Sequence, residues 1–227
     1  MHFHKLLTES PSLAAAALLG CCVLSPAWSD SGLASQSTNL EVIVKFSHDS
    51  DAGRRVERIL SKDPMDLDDF AEAQKDLGRS TGYVLIAQRI SSGREVIFGI
   101  PEKPLLERIE QTVAKRPEIA NTELVAVQND NPRLAEELLL LRFHASSDES
   151  ALLGNAYDDD AYAERVQALA TELCAASGVP VIGTPHSPTA LAITLDRHAL
   201  LEQLVARLHE LDYVDYAQPN SIVQFMK

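Results

Sequence analysis

The chain has 227 residues, enough for one ordinary domain or two small ones, and its 45% apolar and 23% charged content is that of a globular protein. Ten glycines and eleven prolines are too few for a low-complexity linker, and three cysteines, two of them adjacent, build neither a disulfide framework nor a zinc site. Thirty-three acidic against twenty basic side chains give a net charge of −13, which argues against any nucleic-acid binder.

Residues 1–29 read as a signal segment. Lys5 and the amino terminus supply positive charge, Leu13 to Leu24 is an apolar run too short to span a bilayer, and Pro26-Ala27-Trp28-Ser29 resembles a peptidase site. Leu18-Leu19-Gly20-Cys21 resembles a bacterial lipobox, which would make Cys21 a lipidation site and the membrane a partner through that lipid alone. Both routes lead out of the cytoplasm, so a periplasmic or secreted protein is expected. Residues 30–38 read as a linker.

The next region, 39–131, reads strand, helix, strand, strand, helix, strand. Glu41 to Phe46 alternates, with Val42, Val44 and Phe46 on one face and Glu41, Ile43 and Lys45 on the other. A helix is expected from about Asp66 to Leu77, with an extra helical turn in the approach to it. Tyr83 to Ile90 and Arg94 to Ile100 read as strands joined by Ser91-Ser92-Gly93. A second helix is expected to begin at Pro104 and to bury Leu106, Ile109 and Val113, and Ile119 to Val127 closes the set.

Beyond Asn129-Asp130-Asn131-Pro132 the pattern returns over 133–227. Leu138 to Phe143 reads as a strand, with Leu139, Leu141 and Phe143 toward the helices and Leu138, Leu140, Arg142 and His144 on the opposite face. Asp158-Asp159-Asp160 supplies negative charge at a helix start, and Tyr162, Val166, Leu169 and Leu173 form its stripe. Val179 to Thr184 and Ala190 to Leu195 are strands around a Pro185-His186-Ser187-Pro188 turn. Asp196 is placed to cap the next helix, whose Leu201, Leu204, Leu208 and Leu211 recur at helical spacing, and a last strand starts at Tyr213.

The two regions match each other. At an offset of 95, Leu105-Leu106-Glu107 falls on Leu200-Leu201-Glu202, Ile109 on Leu204, Val113 on Leu208 and Val127 on Ile222. With small gaps, Gly82 matches Gly178 and Phe46 matches Phe143. The expected fold class is therefore α+β: two tandem ferredoxin-like (βαββαβ) sandwiches, 39–131 and 133–227, with antiparallel sheets and helices on one face. That architecture hosts many functions and names none.

The end of the chain is more specific. A leucine-rich helix runs into Val214-Asp215-Tyr216-Ala217-Gln218-Pro219-Asn220, and this Val-x-Tyr-x-x-Pro-Asn strand resembles the propeptides of subtilisin-like serine proteases and the stand-alone inhibitors built on the same unit. The resemblance implies a non-enzymatic protein that packs a sheet on a separate protease and lays its C-terminal tail in the cleft as a product-like strand. The partner is then a subtilisin-like serine protease, with inhibition and assistance of folding both open. Tyr216, Pro219, Asn220, Val223, Gln224, Phe225, Met226 and Lys227 would make the tail contacts, and Leu138 and Leu140 the sheet contacts. Gln218 departs from the family, which usually carries an acid there. The alternative is an extracytoplasmic ligand-sensing or assembly module on the same scaffold.

No catalytic, cofactor or metal site is expected. The seven histidines lack ligand spacing, His186 and Ser187 are neighbours in a turn, and Asp158-Asp159-Asp160 lacks the spacing and glycine of a calcium loop. Cys174 reads as a buried helix residue.

Overall fold

The computed structural model describes residues 40–61, 70–91, 93–127, 136–154 and 160–220. Cys21, Asp158, Asp159 and the tail residues Val223 to Lys227 lie outside them. The described residues form eight strands and six α-helices, an α+β arrangement with two four-stranded antiparallel sheets.

In the first half, β1 (Glu41–Phe46) leads to α1 (Asp51–Leu60), a full ten-residue helix where only a turn was expected. Ser50 caps it, its Oγ accepting from the Gly53 N–H at 2.9 Å. Gly53 is required by space, because a Cβ there would sit 2.1 Å from the Ser47 carbonyl oxygen. Next, α2 (Ala71–Thr81) outruns the expected stop at Leu77 and ends at Gly82, whose φ of 75° favours a residue without a Cβ. Strands β2 (Ile86–Ser91) and β3 (Glu95–Gly99) follow, and then α3 (Glu102–Val113) and β4 (Ile119–Val127). Pro104 falls inside the first turn of α3 rather than at its first position, where its missing N–H still costs no helical bond.

The second half contains β5 (Glu136–Phe143), α4 (Asp148–Gly154), α5 (Asp160–Cys174), β6 (Val181–Ser187), β7 (Ala190–Leu195), α6 (Arg197–His209) and β8 (Val214–Pro219). The expected turn at Pro185-His186-Ser187-Pro188 begins later than the sequence suggested, since β6 continues through Ser187. Pro185 can stay in the strand because β6 lies at a sheet edge, where a missing donor breaks no ladder. Asp196 caps α6 as expected, accepting from the Ala199 N–H at 3.0 Å.

The strand orders are β2-β3-β1-β8 and β4-β5-β7-β6. Each sheet thus takes three strands from one half of the chain and its fourth from the other. The preceding helices travel with those strands: α6 packs on β1 and β8, and α3 on β4, β5 and β7. The chain exchanges α3–β4 for α6–β8 between its two sheets.

The exchanged strands sit in matching registers. Val42 faces Pro219, Ile43 faces Gln218 and Val44 faces Ala217, while Leu139 faces Leu124, Leu140 faces Glu123 and Leu141 faces Thr122. Both ladders shift register at the same place, between Lys45 and Phe46 on one strand and between Ile119 and Asn121 on the other. Side-chain hydrogen bonds repeat too. Gln74 Oε1 accepts from the Ala87 N–H, and Gln167 Oε1 from the Gly183 N–H, each at 2.9 Å. Thr81 and Ser177, both buried, bond back to the Leu77 and Cys174 carbonyls of the helical turns they end.

One apolar core runs through both sheets. Phe46 meets Phe70 and Phe98 edge-on and those two rings tilt against each other, at centroid separations of 5.5–6.4 Å, and Leu105, Leu106, Ile109 and Val113 of α3 are fully buried. The crossing is fastened by polar contacts. Arg197 Nε at the start of α6 donates to Glu102 Oε1 at the start of α3 at 2.8 Å, a pair exactly one offset apart in the sequence match. Arg207 of α6 and Arg108 of α3 both donate to carbonyls at the C-terminal end of α2, those of Thr81 (2.5 Å) and Gly82 (2.6 Å), where cations are favoured.

Candidate partner-binding surface

All helices of each sheet pack on one face, so the other face carries the side chains that alternation turns away from the core. On the sheet containing β8 that face is polar at one end. Ser91, Glu95, Lys45 and Tyr216 form a row across β2, β3, β1 and β8. The Tyr216 hydroxyl donates to Glu95 Oε1, the Ser91 hydroxyl donates to Glu95 Oε2 at 2.8 Å, and Lys45 Nζ lies 5.6 Å from the Tyr216 ring centroid. The hydrogen bond from Tyr216, then that from Ser91, holds the Glu95 carboxyl below its ordinary pKa. The same Glu95 bond, with burial second, raises the Tyr216 phenol.

The next row is Arg89, Ile97, Ile43 and Gln218, with Ile97 buried and Ile43 half-buried. Beyond it, Asn220 Nδ2 donates to a Glu41 carboxylate oxygen and the Asn220 N–H to the Glu41 carbonyl at 2.9 Å. The Val-x-Tyr-x-x-Pro-Asn segment is therefore an edge strand with Tyr216 on the helix-free face, exposed Pro219 paired with Val42, and half-buried Asn220 at the exit.

Leu138 and Leu140 are on the other sheet. They turn away from Leu139, Leu141 and Phe143, and with Ala190, Ala192 and Val125 they form a small apolar cluster separate from the main core. Leu140 is only 3% exposed there. The structure thus brings Tyr216, Pro219 and Asn220 together and separates them from Leu138 and Leu140, which the sequence reading had grouped with them. What that reading missed are Ser91, Lys45 and Glu95, the neighbours of Tyr216. Alternation in β1 already turned Lys45 outward, but only the position of β8 reveals what stands beside it.

Cys174 is buried, and burial pushes its thiol up to about 11, so it is no nucleophile at neutral pH. Comparison with protein-family models, with curated proteins and with solved structures gives no match.

Proposed function

We propose that this protein is an exported partner of a subtilisin-like serine protease, acting as an inhibitor or a folding assistant. It docks through the helix-free face of the β2-β3-β1-β8 sheet and through the segment that follows Asn220. The observation that carries the reading is the placement of the propeptide-like motif: β8 is an edge strand, its Tyr216 lies on the helix-free face, and Asn220, the last residue of the motif, bonds to Glu41 of β1. The strand order supports a ferredoxin-like plan for each sandwich, with β8 and β4 as the fourth strands.

An extended segment adds to a protease cleft by main-chain hydrogen bonds while alternate side chains fill pockets. The folded body lowers the ordering cost that a free peptide meets. With Met226 in the primary pocket, Val223 reaches the fourth subsite, and two apolar groups occupy two apolar pockets. Each contributes roughly 1.5–3 kcal/mol if fully buried, before ordering costs.

Deleting Val223 to Lys227 should abolish inhibition of a subtilisin in a peptide-hydrolysis assay and leave thermal stability unchanged. Lys45→Glu and Tyr216→Ala should weaken it. Inhibition unaffected by the deletion, or no effect of the intact protein on either the activity or the refolding of any subtilisin, overturns the reading. The assembly-module alternative then takes its place.

A further inference from the structure

Two four-stranded sheets have four edge strands, and three of them are closed by side chains. On β2, the Ala87 N–H is taken by Gln74, and a register shift follows it. On β6, Gln167 accepts from the Gly183 N–H and donates to the Val181 carbonyl at 2.8 Å, and Pro185, two residues further on the same edge, has no N–H. On β8, the outward Ala217 N–H donates to His209 Nε2 at 3.0 Å, and the next outward residue is Pro219, again without a donor. Such devices stop an edge from templating another strand.

The fourth edge differs. β4 occupies the slot equivalent to β8 in the same register, so alternation turns the N–H and C=O groups of Thr122, Leu124 and Ala126 outward. The counterpart of His209 is Ala114, which cannot accept, and the counterpart of Pro219 is Leu124, which keeps its donor. Among the described residues no side chain caps this edge, although β4 is the longest strand at nine residues. Its one charged residue is Glu123.

We propose that the outer edge of β4 pairs with β4 of a second copy of this chain, antiparallel about a two-fold axis at Leu124. The edge is self-complementary. With Leu124 opposite its own counterpart, Thr122 meets Ala126 of the second copy and every outward donor meets an outward acceptor. Glu123 then lies opposite Val125, so no like charges face each other. The pairing leaves the face beside Tyr216 free.

Sedimentation equilibrium of the purified protein tests this. The protein should be a reversible dimer, and Leu124→Pro should weaken dimerisation roughly tenfold or more by removing the central donor from both copies. The fold should tolerate that change, because Pro219 already occupies the equivalent position in β8. A second pair of variants works without a proline. Val125→Glu sets two carboxylates opposite each other and should weaken the dimer roughly threefold to tenfold, whereas Val125→Lys should strengthen it by a similar factor. Deleting Ser221 to Lys227 should change nothing. A monomeric protein at all accessible concentrations, equal effects of the two Val125 variants, or loss of the dimer on tail deletion overturns the proposal.

Discussion

The exchange of α3–β4 for α6–β8 can be tested with two cysteine pairs. Gln218 faces Ile43 in the ladder observed here. If each half instead kept its own last strand, the counterpart of Ile43, which is Leu140, would face Gln218, because the registers match. Ile43→Cys with Gln218→Cys should therefore cross-link, and Leu140→Cys with Gln218→Cys should not. Residues directly opposite in an antiparallel hydrogen-bonded pair stand about 5.5 Å apart at Cα, within the span a disulfide bridges. The bridge closes a loop of about 175 residues, worth about 5 kcal/mol by chain entropy before any native strain. For a chain of this size that raises the melting temperature by roughly 10–20 °C, reversed by reductant. Mass spectrometry of unreduced peptides reads the linkage directly, with buried Cys174 as an internal negative control. A Leu140–Gln218 cross-link forming in its place would refute the exchange.

Gly53→Ala should lower stability by about 1–3 kcal/mol in urea unfolding, since the new Cβ would meet the rigid Ser47 carbonyl rather than a side chain that can move. A change below the error of the measurement would show that the first turn of α1 yields freely. The Glu95 carboxyl is held below its ordinary pKa in the folded state, so its contribution to stability is present above the unfolded-state value and is lost as pH falls through the folded one. Melting temperature should thus fall as pH drops from about 5 toward 3, and less steeply in Tyr216→Phe, which lacks the hydroxyl that Glu95 accepts from. Parallel pH profiles for the two proteins would sink that account.

The elements themselves were legible because they depend on local features. Alternation in Glu41 to Phe46 put Val42, Val44 and Phe46 inside, and the heptad-like leucines put Leu204 and Leu208 there. Asp196 marked a helix start through side-chain chemistry that needs no distant partner. Helix α4 escaped notice because its seven residues are too few to display a period. At the candidate surface, the motif from Val214 to Asn220 was visible as a string of residues, but its neighbours Ser91, Glu95 and Lys45 were not, since they come from three strands at the other end of the chain.

The sequence by itself determined that the chain holds two matching sets of elements and which side chains of a strand such as Glu41 to Phe46 share a face. It could not determine which slot the last strands take. Because the halves match, β4 and β8 present the same alternation to either sheet, and a degenerate pattern cannot choose between two equivalent partners. That choice is made by non-local packing: Glu102 at the start of α3 meets Arg197 at the start of α6, and Arg108 and Arg207 both close the end of α2. It also decides which residues share a surface, joining Tyr216 to Lys45 and Glu95 and leaving Leu140 on another sheet. Hydrogen bonding across a sheet depends on neighbours in space, and only the tertiary structure supplies them.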